Sequence, residues 1–359
     1  RSSHTSQKGL FMQRTFYPGK WTGRAVVPPS KSEAHRRMIC AALTAGETRL
    51  SGFMPSRDMT ATMDCLRALG AGFREQDEKL AVCGAAGDAA DAPTMDCGES
   101  GSTLRFMMPI ALAVGQGGTF VMHGRLAERP LEPYDPIFDA CGVTRTREGN
   151  TLTLRGKLKA GDYTLPGNVS SQFVTGMLYA LPLLPGDSTL EITGKLESRS
   201  YIALTLSALQ KYGITIEHKD FLTYRIPGNQ QYQPRTGAVE GDYSQAAFWL
   251  TAGMLGRSIG LLGMDPESLQ GDKAIIPILQ RMGGQVVFEG DTLISRPVTA
   301  LGTTIDAADC PDIIPVLTVA AALSQGHTEI IHAERLRLKE CDRLKAMTTE
   351  LNKLGARIT

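Results

Sequence analysis

Five amphipathic stretches of the chain end in the same way, with an apolar or aromatic residue followed by glycine. They are LRALG at Gly70, FDACG at Gly142, LQKYG at Gly213, LQRMG at Gly283 and LNKLG at Gly355. A glycine in that place predicts a helix stop, because it enters the left-handed conformation without a Cβ penalty. The five glycines are separated by 72, 71, 70 and 72 residues. Such regular spacing predicts five copies of one unit of about 71 residues.

Each unit also holds an earlier segment in which small or acidic polar residues run into an apolar stretch. These are SKSEAHRRMICAAL (30–43), ESGSTLRFMMPIAL (99–112), SSQFVTGMLYALPLL (170–184), DYSQAAFWLTAGML (242–255) and DCPDIIPVLTVAAAL (309–323). Each opening predicts an N-cap followed by a buried helix. Short alternating segments bounded by glycine, such as TLTLRG (151–156), STLEITG (188–194) and QVVFEG (285–290), predict strands. The unit therefore reads β-α-β-α-β-β and the fold class α/β. Five helix N-termini facing one cleft would offer free N–H groups and partial positive charge to an anionic ligand. Capping alone explains each of them singly.

With 359 residues, the chain exceeds the size at which one core stops growing, so two lobes with a cleft between them are expected. Hydrophobic residues make up 42% and charged residues 21%, which excludes disordered and fibrous classes. A net charge of +1 argues against nucleic acid as a partner, so any anion site must come from local clustering. Seven cysteines stand singly, without CxxC pairs, which fits a reducing compartment and neither a disulfide framework nor a zinc site. No apolar run approaches the ~18 residues of a membrane span. A cytoplasmic protein with no membrane partner is expected. Residues 1–32 contain no acid, and an organellar leader is the minor alternative. Residues 1–11 read as a disordered or vector-derived tail, since Met12 opens a natural start.

Several motifs carry chemistry. In PPSKSEAHRR, Lys31 and Ser32 stand at a helix start and Arg36 follows a turn later, a mobile ammonium beside a planar fork suited to carboxylate or phosphate. In DCGESGSTLRF, Gly101 lets a ligand approach the backbone and Arg105 follows. The GK[ST] ending of a Walker loop is absent. Arg129 lies in RLAERPLEP, Ser170, Ser171 and Gln172 open a helix, and Ser198 and Tyr201 lie in ESRSYI. Asp309 and Asp312 precede an apolar helix, and Arg337, Lys339, Glu340, Asp342 and Arg343 are packed into seven positions. A solvated helix face would explain that charge run; in a cleft it would place phosphate-neutralising cations beside a proton donor.

Taken in order, the motifs PxSKSxxxR, CGxSGSTxRF, ERP, GxVSSQF, SRSYI, VEGDYS, DxPDIIPVL and LRLKExDRL resemble those of the EPSP synthases, from about Phe16 to the end. The resemblance implies a two-lobed enolpyruvyl-transferase fold of six βαβαββ units, here five of six. Residues 29–239 would form a three-repeat lobe. Residues 240–359, with a strand from 12–28, would form a second lobe lacking its last repeat, so the functional protein is expected to continue past Thr359. It also implies a cofactor-free, metal-free and cytosolic enzyme, here expected as a monomer. The enzyme would join phosphoenolpyruvate to the 5-hydroxyl of shikimate 3-phosphate, with glyphosate as the family inhibitor. By motif, Lys31, Ser32, Arg36, Ser170, Ser171, Gln172, Ser198, Tyr201, Asp312 and Lys339 would hold shikimate 3-phosphate. Gly101, Arg129, Lys31, Glu340 and Arg343 would meet phosphoenolpyruvate, with Glu340 as acid and Asp312 as base. Glu99, His35, Arg335 and Cys341 depart from the family pattern, and no role is carried to them. The alternatives are UDP-N-acetylglucosamine enolpyruvyl transferase, in which Lys-Asn would stand at Lys31-Ser32 and SSQF would be missing, and a substrate-binding but catalytically incomplete fragment.

Overall fold

The structure, a computed structural model, describes residues 22–77, 79–85, 92–196, 198–339 and 341–359. The expected tail at 1–11, residues 12–21 and Glu340 lie outside them. The first unit holds β1 (Gly23–Val26), α1 (Lys31–Ala42), β2 (Glu47–Ser51), α2 (Arg57–Ala68), β3 (Gly72–Gln76) and β4 (Lys79–Cys83). The second holds β5 (Thr94–Asp96), α3 (Gly101–Val114), β6 (Gly117–Val121), α4 (Asp135–Cys141), β7 (Thr144–Glu148) and β8 (Thr151–Arg155). Next come β9 (Asp162–Pro166), α5 (Ser171–Ala180), β10 (Ser188–Thr193), α6 (Arg199–Lys211), β11 (Glu217–Lys219), β12 (Thr223–Ile226) and β13 (Gly237–Ala238). The fourth holds α7 (Tyr243–Leu255), β14 (Ile259–Leu262), α8 (Ile275–Arg281), β15 (Gln285–Glu289) and β16 (Thr292–Arg296). Last are β17 (Thr304–Asp306), α9 (Ile314–Ala322), β18 (Glu329–Ile331) and α10 (Arg343–Lys353).

The repeat is physical. Among the described residues, four sheets share one strand order, first-second-fourth-third, as in β5-β6-β8-β7 and β9-β10-β12-β11. The first pair is parallel and the others antiparallel. A parallel pair needs a crossover, and in the β5–β6 and β9–β10 pairs the buried first helix of the unit supplies it. The five glycines at the ends of the second helices have φ of 99° (Gly70), 73° (Gly142), 79° (Gly213), 89° (Gly283) and 96° (Gly355), the left-handed stop that the sequence predicts. The fifth unit differs from the other four: β17 and β18 form a two-stranded sheet, and the chain reaches Thr359 after α10.

Two units exchange their first strands. β13 completes the sheet of β2, β4 and β3, and β1 completes that of β14, β16 and β15. The chain therefore crosses twice between two separate cores. One core gathers buried residues from Ala34 to Val239, and the other gathers Val27 with residues from Tyr243 to Leu336. The crossings run side by side: the Ser30 amide donates to the Glu240 carbonyl at 2.7 Å and the Asp242 amide to the Pro28 carbonyl at 2.9 Å.

Four of the five first helices are capped as expected. Ser30, Ser100, Ser170 and Asp242 each accept from an amide of their own helix through the side chain. The segment 309–323 departs from this pattern. Its helix starts at Ile314, Pro311 lies in a preceding turn, and Ile313 caps without a side-chain bond. The carboxylate of Asp312 is engaged elsewhere. The segment 170–184 also shortens, since Pro182 turns its end into a 3-10 turn over Leu181–Leu183.

Candidate active site

The thirteen described residues that the motif resemblance assigns to the two substrates, Lys31, Ser32, Arg36, Gly101, Arg129, Ser170, Ser171, Gln172, Ser198, Tyr201, Asp312, Lys339 and Arg343, line one cleft of about 920 Å³ between the two cores, whereas Arg105, Asp309, Arg337 and Asp342 do not line it. Segments up to 312 residues apart in sequence meet there, because the first helices of the units turn their N-termini toward it. Eight Lys and Arg side chains face the cleft against four carboxylates. A chain near neutrality thus builds a locally cationic site, as an anionic ligand requires.

Each cation is held differently. Lys31 pairs with Asp58, and its Nζ end is half exposed. Such a pair is worth little and can give way to a phosphate. The Lys31 amide donates to Asp242 Oδ2 at 3.1 Å, tying α1 to α7. Arg36 is buried, with Nε donating to Thr205 Oγ1 at 2.9 Å and its guanidinium 5.6 Å from the centre of the Tyr201 ring. Arg105 donates to Gln172 Oε1 at 2.7 Å and to the Pro130 carbonyl at 3.0 Å, and lies 4.8 Å from the centre of the Phe173 ring. Burial, followed by Arg129, lowers its pKa to about 10, so it stays charged and fixes Gln172. Gly101 is required for space: a Cβ there would lie 2.8 Å from Arg129 Nη1.

His35 is neutral. Burial, helped by Arg36, pushes it down to about 3, and its Nε2 meets Thr62 Oγ1 at 2.7 Å. Thr62 meets Thr103 at 2.7 Å, and Thr103 donates to the cap hydroxyl of Ser100 at 2.8 Å. A buried chain of hydroxyls thus links the starts of α1 and α3.

Across the cleft, Asp312 is the centre of the polar contacts. Tyr201 Oη donates to its Oδ2 at 2.7 Å, Arg343 Nη1 donates to its Oδ1 at 2.7 Å, and Lys339 Nζ lies 4.0 Å from Oδ1. Burial opposes the charge, but Lys339, the Tyr201 hydroxyl and Arg343 outweigh it and hold the carboxyl below the usual range. Asp312 is a carboxylate at neutral pH. Burial and Asp312 keep Tyr201 neutral, with its pKa well above the ordinary value. Ser198 sits at a φ of 56°, a strained conformation outside glycine. Its hydroxyl accepts from Arg335 Nη1 at 2.8 Å.

Sequence reasoning gave no role to several residues at this site. Arg335 was set aside as a departure, although it lines the cleft and bonds Ser198. Asp58 carried one signal, an acid in the first turn of a capped helix, which did not say that it would face Lys31. His35 is one of the departures from the family pattern, Ser244 closes the VEGDYS motif without an assigned role, and its partner Asp272 carries no signal. Glu340, the expected acid, lies outside the described residues. Among the described residues, no group of three or more His, Cys, Asp or Glu could hold a metal ion, and no helix is long and apolar enough to cross a membrane.

The profile of EPSP synthase (3-phosphoshikimate 1-carboxyvinyltransferase) matches residues 17–359. The chain belongs to the EPSP synthase family. It is 48% identical over 345 residues to a 3-phosphoshikimate 1-carboxyvinyltransferase of Clostridium perfringens, a match covering 95% of this chain and 81% of the relative. It is 45% identical over 343 residues to that of Clostridium kluyveri, covering 95% and 80%. Among solved structures, EPSP synthase from Acinetobacter baumannii superposes with a TM-score of 0.78 at 23% identity, over 93% of this chain and 79% of that one. The enolpyruvyl transferase NikO from Streptomyces tendae gives 0.67 at 18% identity, over 87% and 75%. These two share the two-lobed fold. The relatives support the EPSP synthase function and favour neither alternative weighed from the sequence.

Proposed function

We propose that the cleft transfers the enolpyruvyl group of phosphoenolpyruvate to the 5-hydroxyl of shikimate 3-phosphate through the residues the motifs singled out. Lys31, Ser32, Arg36, Ser170, Ser171, Gln172, Ser198, Tyr201, Asp312 and Lys339 hold shikimate 3-phosphate. Gly101, Arg129, Arg343 and the shared Lys31 hold phosphoenolpyruvate, with Glu340 completing that end. The 5-hydroxyl loses its proton to Asp312 and adds to C2 as C3 takes a proton from Glu340; the C2–O bond to phosphate then breaks as C3 returns a proton to the Glu340 carboxylate, and the double bond reforms. The observation that carries this reading is the convergence of all thirteen described residues on one cationic cleft. The depressed pKa of Asp312 supports its part: it is ionised and ready to accept, while the cations around it neutralise phosphate charge. We further read residues 29–239 as one lobe and 240–359, joined by the strand near the N-terminus, as the other, in a monomeric cytoplasmic enzyme.

The test is phosphate release from the two substrates. Lys31→Ala should abolish turnover and leave the melting temperature nearly unchanged, because the Lys31 side chain pairs only at the half-exposed cleft surface. Near-wild-type turnover in that variant would defeat the assignment.

A further inference from the structure

Behind the cleft wall lies a carboxyl group that the proposed chemistry does not use. Asp272 is 5% exposed, in the turn Gly271–Ala274 that precedes α8. Its Oδ2 meets the hydroxyl of Ser244, and its Oδ1 is buried without a partner. Ser244 lies in the first turn of α7 and lines the cleft. The hydroxyl thus stands between a buried carboxyl and the ligand space.

We propose that Asp272 is a positioning residue for the anionic substrate: its protonation state decides whether the Ser244 hydroxyl donates into the cleft or is turned away from it. The proposal rests on the reading that the cleft binds shikimate 3-phosphate. An ionised Asp272 has no proton to give, so Ser244 must donate to Oδ2 and can present only lone pairs to the ligand. Those repel phosphate or carboxylate oxygens. Once Asp272 takes up a proton, its O–H donates to Ser244 Oγ, and the Ser244 proton becomes free to donate to the anion. No bond to carbon or phosphorus changes; one solvent proton binds with the ligand.

The surroundings favour this exchange. Asp312 and Asp242 disfavour a charge on Asp272, Lys339 favours it, and Tyr201 and Cys310 also feel it. Leaving Oδ1 charged and unpaired in the interior is costly, whereas a protonated carboxyl needs less solvation. Burial, with Asp312 second, pushes Asp272 up to about 7, where both states are populated. An arriving anion adds negative charge nearby and shifts the balance further toward the proton.

The experiment is calorimetry of shikimate 3-phosphate binding from pH 6 to 8.5 in two buffers of different ionisation enthalpy. The wild type should take up protons on binding, and its affinity should fall as pH rises through neutrality, by at most about tenfold per pH unit, the limit for one linked proton. The ligand phosphate, with its own pKa near ~6, titrates in every variant and cancels in the comparison. Asp272→Asn keeps a permanent donor toward Ser244. It should bind as tightly at pH 8.5 as the wild type does at pH 6.5, without the extra uptake. Ser244→Ala should bind weakly at every pH. A merely structural Asp272 would change affinity without changing its pH slope, and an identical slope and uptake in wild type and Asp272→Asn overturn the proposal.

Carbon-13 titration of the side-chain carboxyls in the ligand-free protein gives an independent readout. Asp272 should titrate near neutrality and move on Ser244→Ala; titration in the ordinary carboxylate range overturns the proposal. If shikimate 3-phosphate fails to bind the wild type, the functional reading falls. The carboxyl titration, and the same calorimetry with inorganic phosphate, then still decide the role of Asp272.

Discussion

Replacing Gly101 by alanine tests the site at a single atom. The added Cβ would lie 2.8 Å from Arg129 Nη1, 3.7 Å from Arg129 Cδ and 3.6 Å from Arg105 Nη1. Only the first contact is a clash, and the Arg105 guanidinium is fixed by Gln172 and the Pro130 carbonyl. Arg129 is therefore the group that moves, by about 0.7 Å to reach the ~3.5 Å at which such contacts turn attractive. The fold loses little, since the moving atom is the tip of a long side chain and alanine at a helix start is at least as favourable as glycine. The loss falls on the ligand of Arg129. A charge-assisted hydrogen bond is worth roughly 1.5–3 kcal/mol, so displacement should weaken use of phosphoenolpyruvate by about 10- to 100-fold. Steady-state assays varying each substrate in turn, with a thermal melt, read this directly. The expected result is a raised KM for phosphoenolpyruvate, an unchanged KM for shikimate 3-phosphate and an unchanged melting temperature. An unchanged KM for phosphoenolpyruvate would refute the placement of Arg129, and a melt lowered by many degrees would show that Arg105 had been displaced instead.

Three further substitutions address the carboxyl groups. Asp312→Asn should lower kcat by roughly 10²–10⁴-fold, the usual scale for a general base, while single-site binding of shikimate 3-phosphate remains measurable; loss of all binding would point to structural damage. The folded pKa of Asp312 is depressed, so its ionic contacts stabilise the protein at neutral pH and are lost as acid carries the pH below the ordinary carboxylate range; urea melts of wild type and Asp312→Asn should therefore converge only in strong acid. Asp272 has the opposite sign. Its folded value of about 7 exceeds the ordinary 3.8, so the folded state holds the proton more tightly and stability falls as pH rises from 4 to 7. Asp272→Asn should gain over the wild type by up to about 4 kcal/mol between those limits, from roughly 3 pKa units at ~1.4 kcal/mol each; a difference that does not change with pH contradicts the burial argument. Tyr201→Phe removes one donor from Asp312 and leaves Arg343, so kcat/KM should fall about 10- to 100-fold for the ~1–3 kcal/mol of an unmade buried bond, and an unaltered value would place the hydroxyl outside the reaction.

The repeat was legible because its signals are local. A glycine after an amphipathic stretch and a hydroxyl or carboxylate before an apolar one each report backbone geometry within a few residues. The positive φ at all five glycines and the side-chain caps at four first helices follow from them. The exception at Asp312 has a physical reason. Its carboxylate bonds Tyr201 and Arg343 from other parts of the chain, and a side chain engaged at long range is not available as a cap. The same logic explains what the sequence hid. The pairing of Lys31 with Asp58 and the bond from Arg335 to Ser198 join distant segments, and no periodicity encodes them. The residues that line the cleft were readable through motif resemblance; their partners were not.

The exchanged strands and the polar contacts across the cleft bear on the charge state of Asp312. The two chain crossings are braced by Glu33, a buried carboxylate that accepts from the Glu240 amide at 3.0 Å and from Lys211 Nζ at 3.2 Å. The two cores are thus tied together where the chain crosses between them. Further contacts between the cores include Tyr201 to Asp312 and Arg335 to Ser198. Parting the cores there would remove the Tyr201 hydroxyl from Asp312, taking away one of the three groups that hold it ionised, and would release the restraint on the strained Ser198. Arg343 and Lys339 lie on the same side of the cleft as Asp312 and would stay. The depressed pKa of Asp312 is therefore in part a property of the contact that Tyr201 makes between the two cores.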